Sequence, residues 1–166
     1  MKSKALVLIK SRRSIRKFKR KAIPKSIIRK ILEAGRWAPS GLNNQPWRFM
    51  VLEKEKRAAL CKFSRYGHII KGSDKAILVF IDKNASYNYE KDLMAIGACI
   101  QNMLLYVHSQ GLGACWLGEI LNQRKEIKRL LKIPTPLELE AVIALGYPLK
   151  SHEPTPRKSL KNLIIK

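Results

Sequence analysis

Apolar residues recur along the chain with helical spacing in some segments and with strand-like spacing in others. Helices are predicted over residues 5–10, 24–35, 54–62 and 89–110, and another over residues 122–132. Gly35 is expected to end the second of these helices, and Asn122 to cap the last. The helix over residues 89–110 is apolar on most sides, which indicates that protein surrounds it.

Strand-like segments lie between these helices. Strands are predicted over residues 47–53, 76–82, 114–118 and 138–148, and LIIK at 163–166 is a candidate for a further one. The run AILVFID at 76–82 is almost continuously apolar, as in a strand that is buried on both faces. No repeat or low-complexity linker divides the chain, so residues 1–166 are predicted to form one domain of α+β or mixed α/β class.

The composition is that of a globular protein with a large excess of positive charge. Hydrophobic residues make up 46% of the 166 residues, and 34 Lys and Arg against 12 Asp and Glu give a formal charge of +22. Such a charge attracts nucleic acid, acidic membranes and phosphorylated cofactors alike, so it does not choose among them. The longest apolar stretch, residues 93–107, is shorter than the roughly 20 residues of a membrane span. A cytoplasmic protein without a membrane segment is therefore expected.

The histidines and cysteines lack the spacing of common metal or nucleophilic sites. Cys61, Cys99 and Cys115 are expected to be reduced and buried, and His108 is expected to be a helix cap or a surface residue. Glycine patterns for a nucleophile elbow, a P-loop or a dinucleotide fold are missing. No metal site and no catalytic side chain is predicted, so an enzyme with this sequence would take its reactive atom from a cofactor.

The segment SRRSIRKF at 11–18 is the first candidate for ligand binding. Arg12, Arg13 and Arg16 offer guanidinium forks and Ser14 a hydroxyl, which suit a phosphate and the polar edge of a ring. With one residue in five basic, the arginines alone are more typical of a solvated face than of a binding site. Ile15 and Phe18, however, would tether the segment to a core, and PRK at 156–158 could return to the same anion.

The loop APSGLNNQPWRF at 38–49 is the second candidate. Its amide side chains each carry a donor and an acceptor, which suit the alternating edge of a uracil-like ring. The alternative is that Asn43 and Asn44 support turns while Trp47 packs in the core. Five residues together favour ligand binding: Ser40, Asn43, Gln45, Pro46 and Trp47.

Four segments in order along the chain resemble the FMN-dependent nitroreductase family: RRSIRKF, APSGLNNQPWRF, QNMLLYVHSQGLGACWLG and ALGYP. The most specific element is Ser-x-x-Asn-x-Gln-Pro-Trp at 40–47. The resemblance implies an α+β fold in which helices sandwich a mixed β-sheet, with a long buried central helix. It also implies a homodimer with two FMN sites at its interface and a C-terminal extension that reaches the partner.

The resemblance also implies roles for individual residues. The FMN phosphate, ribityl chain and pyrimidine edge would be held by Arg12, Arg13, Ser14 and Arg16, and Arg16 would also tune the flavin electrostatically. The other subunit would contribute Pro39, Ser40, Gly41, Asn43 and Gln45. Backbone N–H groups of Leu117 and Gly118 would face the reactive ring, and Arg157 with Lys158 would close on the phosphate. A basic residue that some members place beside the flavin is matched only loosely, by Lys71.

The implied activity is transfer of hydride from NADH or NADPH through FMN to a small-molecule acceptor such as a nitroaromatic, a quinone or a flavin. Two alternatives stay open. One is a specialised flavin reaction on the same fold, such as reductive dehalogenation or flavin fragmentation. The other is a nucleic-acid-binding module, although aromatic residues are only 7% of the chain and form no stacking pattern. Salt-sensitive, sequence-blind association with nucleic acid could also accompany catalysis.

Overall fold

A computed structural model describes residues 3–150 and 155–165 of the chain. The described residues form six α-helices: α1 (Lys4–Ser11), α2 (Lys25–Arg36), α3 (Lys54–Ala59), α4 (Gly67–Gly72), α5 (Tyr89–Ser109) and α6 (Arg124–Leu130). They also form four strands: β1 (Trp47–Leu52), β2 (Lys75–Asp82), β3 (Gly113–Leu117) and β4 (Leu137–Gly146). None of the helices in this part of the chain is long and apolar enough to cross a membrane.

The four strands form one sheet in the order β1-β2-β4-β3, and each of the three strand pairs is antiparallel. Among the described residues, parallel pairing is limited to an isolated bridge between Ser14 and Ala114 on the outer side of β3. The α+β class is therefore confirmed, while the expected mixed sheet is antiparallel apart from this bridge. The parallel component is small because the segment that pairs with the edge of β3 is too short to form a strand.

The sheet separates two apolar cores. Ile77, Val79 and Ile81 of β2 face the core that contains α2 and α5. Leu78 and Phe80 face the opposite core, which contains side chains of α4 and α6. Successive residues of a strand point to opposite faces, so a strand covered by helices on both sides must be apolar throughout. The prediction from AILVFID is confirmed.

The helix α5 is the central helix that the sequence predicts. It has 21 residues and begins after Asn88, whose side chain accepts a hydrogen bond from the Lys91 amide at 3.1 Å. Its side chains at 96, 99, 100 and 103 are at most 2% exposed, because α2 and the sheet cover them. The helix ends before Gly111, whose φ of 67° suits a residue without a side chain.

Several predicted boundaries are wrong. Asn122 does not cap a helix, because it lies within a 3-10 segment (Glu119–Gln123) that precedes α6. Residues 61 and 62 belong to another 3-10 segment (Cys61–Phe63) instead of continuing α3, and α4 was not predicted. Residues 163–165 of the candidate strand LIIK form no strand, and Lys166 lies outside the described residues. The three cysteines are free, and Cys99 and Cys115 are buried as expected, whereas Cys61 is half-buried.

Gly35 does not end α2 but lies inside it, at the contact with α5. A Cβ atom on this residue would lie 2.8 Å from Met103 Cγ and 3.0 Å from Cys99 Sγ. The absence of a side chain therefore allows the two helices to approach closely. Gly97 of α5 offers a contrast, because a Cβ atom there would meet no atom within 4 Å.

Replacing Gly35 by Val should lower the free energy of unfolding by about 1–3 kcal/mol, because the new side chain overpacks the α2–α5 contact. The same substitution at Gly97 is the matched control and should change it by less than about 0.5 kcal/mol. Urea denaturation of both variants measures these values. Equal stability of the two variants would show that the α2–α5 contact does not require glycine.

Candidate functional site

The basic segment after α1 lies along the outer edge of β3. The Ile15 amide donates a hydrogen bond to the Ala114 carbonyl at 2.9 Å. Ile15 and Phe18 are both buried, and they pack where Gly113 and Gly146 leave room for them. The sequence-based expectation that these two side chains tether the segment to the core is confirmed. The arginines between and before them are thereby held in fixed positions.

Arg12 and Arg13 carry positive charge close to His108 at the C-terminal end of α5, and Arg157 lies near Arg12. Burial, and then the charges of Arg13 and Arg157, lower the pKa of Arg12. Burial and the charges of Arg12 and Arg13 lower the pKa of His108. Within residues 3–150 and 155–165, none of the three arginines forms an ion pair with a carboxylate. We call these three residues the arginine cluster; its uncompensated charge suits an anion.

The side chain of Arg13 is held by carbonyl groups at the end of α1. Its Nη1 donates to the carbonyl oxygens of Lys10 at 2.7 Å and of Arg12 at 2.8 Å, at the end of α1. Its Nε is buried and has no hydrogen-bond partner in the described part of the chain. A buried donor without a partner is costly, and an oxyanion would satisfy it. The cluster therefore fits a phosphate group in both charge and hydrogen bonding.

The other basic residues of the predicted site are more dispersed. Arg16 is exposed, donates to the Ser14 carbonyl at 3.3 Å, and lies near Cys115, where its charge opposes the rise in the thiol pKa that burial causes. Lys158 is exposed in the C-terminal segment. Lys71 is exposed at the end of α4 and lines a separate cavity with residues 18–22. Lys71 is thus not part of the arginine cluster.

The loop of residues 39–46, which we call the amide loop, has a rare backbone conformation. Leu42, Asn43 and Gln45 have φ angles of 54°, 53° and 46°. Side-chain-bearing residues seldom adopt this left-handed region, and each such residue costs on the order of 1–2 kcal/mol. The Ser40 hydroxyl accepts a hydrogen bond from the Gln45 amide at 3.0 Å, and Gln45 Nε2 donates to the Asn43 carbonyl at 3.2 Å. These bonds hold the loop in its strained shape.

Asp92, which the sequence did not point to, anchors the amide loop to α5. Asn44 Nδ2 donates to Asp92 Oδ1 at 2.9 Å, and the carboxylate also accepts from the Ser86 hydroxyl at 2.7 Å and the Tyr87 amide at 3.1 Å. Asp92 is fully buried. Burial alone would raise the pKa of Asp92, but these hydrogen bonds outweigh it and keep the pKa below its usual value. The only sequence signal was an acidic residue within an apolar helical pattern.

The residues of the loop therefore divide into supporting and exposed groups. Asn44 supports the turn and Trp47 is 5% exposed in the core, as the structural alternative from the sequence predicts. Pro39 and Asn43 are exposed, while Ser40, Gly41 and Gln45 are half-buried at the surface. A side chain at Gly41 would collide with the Tyr87 ring. The amides of Asn43 and Gln45 remain the groups of this loop that a ligand could reach.

Leu117 and Gly118 lie at the C-terminal end of β3. Leu117 is buried and pairs with Val142 of β4, whereas Gly118 is exposed. A Cβ atom on Gly118 would meet no atom within 4 Å, so packing within the chain does not require glycine there. The surface beside Gly118 is open to an approaching group.

The arginine cluster and the amide loop lie at opposite ends of α5 in one chain. Asn44 of the loop is bonded to Asp92, and Ser11, next to the cluster, is bonded to His108 at 2.8 Å. Asp92 and His108 are sixteen residues apart in α5, which at about 1.5 Å per residue corresponds to about 24 Å. The two sets of predicted ligand-binding residues therefore do not converge within one subunit.

Known proteins resemble the chain over most of its length. Residues 9–73 and 64–147 match the model of the nitroreductase family. A candidate NADH dehydrogenase/NAD(P)H nitroreductase of Methanothermobacter thermautotrophicus is 37% identical over 88% of this chain and 78% of that protein. An iodotyrosine deiodinase of Thermotoga neapolitana is 28% identical over 96% of this chain and 95% of that protein. The solved structure of a candidate nitroreductase in complex with FMN, from Desulfovibrio desulfuricans, is 44% identical with a TM-score of 0.96, over 100% of this chain and 98% of that one.

Replacing Asp92 by Asn should lower the free energy of unfolding at pH 7 by about 2–4 kcal/mol, because charge-assisted hydrogen bonds are lost. The folded-state pKa of Asp92 is lowered, so its contribution is present above the unfolded pKa and disappears as the pH falls through the folded pKa. The difference between wild type and variant should therefore shrink from pH 4 downwards in urea denaturation.

Glu90→Gln is the matched control, because Glu90 is exposed in the same first turn of α5. This variant should differ from wild type by less than about 0.5 kcal/mol. A difference between Asp92→Asn and wild type that is constant from pH 7 to pH 2.5 would contradict a role for the ionised carboxylate.

Proposed function

Because the chain belongs to the nitroreductase family, we propose that it is an FMN-dependent oxidoreductase. It takes hydride from NADH or NADPH and passes it to a small-molecule acceptor such as a nitroaromatic, a quinone or a flavin. The observation that carries this proposal is the arginine cluster, which has no carboxylate partner in the described part of the chain and suits a terminal phosphate. Further support comes from the 44% identical relative, which was solved in complex with FMN.

The protein's own residues bind and orient the cofactor in this proposal. FMN, when bound, supplies the ring that accepts and returns hydride, which agrees with the lack of a nucleophilic motif in the sequence. Arg12, Arg157 and Lys158 hold the phosphate, and Arg13 completes the charge around it. Ser14 contacts the ribityl chain. Arg16 reaches the pyrimidine edge, where a fixed positive charge stabilises negative charge.

The direction of the backbone N–H groups, which alternates along β3, supports Gly118 instead of Leu117 as the backbone donor to the flavin ring. Because the Ile15 N–H donates to the Ala114 carbonyl, the backbone N–H and C=O of Ala114 point away from β4. Because this direction alternates along an antiparallel strand, the amide of Leu117 faces β4 and that of Gly118 faces away from it. Gly118 also has open space beside its Cα. Leu117 then contributes through its buried side chain, which positions the strand end.

The separation of about 24 Å along α5 supports a homodimer with shared sites. Each FMN would be held by the arginine cluster of one subunit and by Pro39, Ser40, Gly41, Asn43 and Gln45 of the second. Exposed apolar side chains support a surface that the partner subunit covers. Among them are Val7 of α1, which is 52% exposed, and Met94 of α5, which is 69% exposed. A two-fold axis would bring the two ends of neighbouring α5 helices together.

Reductive dehalogenation on the same fold is the second candidate function. Its support is the iodotyrosine deiodinase, which is 28% identical over 96% of this chain. The charge of +22 also supports weak, salt-dependent association with nucleic acid alongside catalysis. The three free cysteines agree with a reducing compartment, so we propose the cytoplasm as its location.

Purified protein should be yellow and should release FMN, without FAD, on denaturation, because the arginine cluster offers a phosphate site and no dinucleotide motif is present. Mass spectrometry identifies the released flavin. Anaerobic stopped-flow mixing with NADH and with NADPH, followed by nitroaromatic, quinone, flavin and halogenated aromatic acceptors, tests both candidate functions. A protein that stays colourless after incubation with FMN would overturn the proposal.

Arg12→Ala and Gln45→Ala should each weaken FMN binding tenfold or more as separate homodimers, because each removes hydrogen bonds to the flavin. Refolding the two variants together should give about half heterodimers, each with one intact and one doubly damaged site. About a quarter of all sites should then recover tight FMN binding. Flavin fluorescence measures this fraction at an FMN concentration between the dissociation constants of the intact and the damaged sites.

Arg29→Ala is the control for Arg12, because Arg29 is an exposed arginine of α2, and it should keep wild-type affinity. Native mass spectrometry must show that heterodimers are present. If they are present and no tight sites return, each flavin is bound within one chain and the shared-site proposal is wrong.

A further inference from the structure

A cavity of about 250 Å³ lies between the end of α1, the C-terminal end of α5 and the segment that follows β4. Its polar lining consists of Ser11, Arg13, His108 and Lys150. Arg13 belongs to the arginine cluster, and its buried Nε has no partner among the described residues. The cavity therefore adjoins the proposed phosphate site and adds three polar side chains that have no role so far.

His108 is held in this cavity by a bond between distant parts of the chain. Its Nε2 is 2.8 Å from the Ser11 hydroxyl, and that hydroxyl is also 3.2 Å from the Leu8 carbonyl. The hydroxyl has one proton, so both contacts are satisfied when it donates to Leu8 and accepts from His108. Nε2 then carries the proton of the neutral ring. Protonation of His108 would add a second donor, at Nδ1, and a positive charge.

The charged side chains that the structure describes around His108 are all positive. Arg12 and Arg13 approach it from the segment after α1, Lys150 from the segment after β4, and Arg157 lies next to Arg12. None of the described acidic side chains lines the cavity. Burial, and then Arg12 and Arg13, lower the pKa of His108 and so favour the neutral ring in the free protein. A bound phosphate dianion would place negative charge next to His108, which would favour the protonated ring.

We propose that His108 is a further phosphate-binding residue, which takes up a proton when FMN binds. The proposal rests on the proposed FMN-dependent function. The proposal implies that only one half of the shared site responds to pH. The half that the other subunit contributes is the amide loop, which contains no group that titrates near neutrality. The contribution of His108 to FMN binding grows as the pH falls through its pKa in the complex, and it levels off below its pKa in the free protein.

The test measures the dissociation constant of FMN from pH 5.5 to pH 8.5 by quenching of flavin fluorescence, for wild type and His108→Gln. The variant should bind FMN like wild type at pH 8.5 and about threefold to tenfold more weakly at pH 6, in line with the loss of one partly exposed charged contact. The phosphate of free FMN titrates near pH 6, which weakens binding on acidification, but free FMN is the same ligand for both proteins and its titration cancels in their ratio. The ratio of the two constants therefore isolates His108.

His68→Gln is the matched control, because His68 is exposed on α4, away from this cavity, and its ratio to wild type should stay near one at every pH. Calorimetry in two buffers of different ionisation enthalpy should show net proton uptake near pH 7 in wild type that is lost in His108→Gln. Should His108→Gln fail to fold, an NMR titration of His108 in wild type decides the question: its pKa should be higher with FMN than without.

A constant ratio across the pH range, with wild type still binding FMN, overturns the role of His108 and leaves the proposed function intact. An NMR-derived pKa that FMN does not change has the same meaning. Failure of wild type to bind FMN at any pH overturns the proposed function and this inference together. Competition by inorganic phosphate that strengthens at low pH only in wild type would place the effect at the phosphate end of the ligand.

Discussion

The length and burial of α5 set the geometry on which the rest of the molecule depends. Twenty-one residues pack against α2 and the sheet, so the helix cannot bend or shift without opening the core. The amide loop is attached near its first turn through Asp92, and the arginine cluster lies near its last turn beside His108. A rigid helix thus separates the two proposed ligand-binding surfaces by about 24 Å. This distance is the reason why we propose a site that is shared between two subunits.

Both of these surfaces have a cost for the folded chain. The amide loop holds three side-chain-bearing residues at positive φ, and the arginine cluster gathers like charges without carboxylate partners in the described part of the chain. Each arrangement persists because packing or hydrogen bonding elsewhere enforces it: Asp92 below the loop, and the buried Ile15 and Phe18 below the arginines. An anion that binds to the cluster would relieve the repulsion, and the strain in the loop holds its amides in one arrangement before a ligand binds. The costs are therefore located where binding can offset them.

The large net charge has a different meaning at the cluster and elsewhere on the surface. A few basic residues of the described chain are paired with carboxylates; Arg48, Lys83 and Arg124, for example, pair with Asp82 or Glu138. Most of the other described basic residues are likewise unpaired, so the arginine cluster stands apart because its unpaired charges lie close to one another and partly buried. The negative charge of a bound phosphate would favour the protonated form of His108.

Periodicity and local motifs determined much of this protein. The continuous apolar run of β2, the long apolar helix α5 and the order of the site segments could be predicted because each depends on neighbouring residues and on burial of apolar surface. Other features depend on contacts that no local pattern carries. Gly35 serves a helix contact with residues 99 and 103, Asp92 meets Asn44 across 48 positions, and His108 meets Ser11 across 97. Only the tertiary structure decided these pairs, because a hydrogen bond or a close contact needs both partners at a defined distance, and the sequence states the partners without the distance.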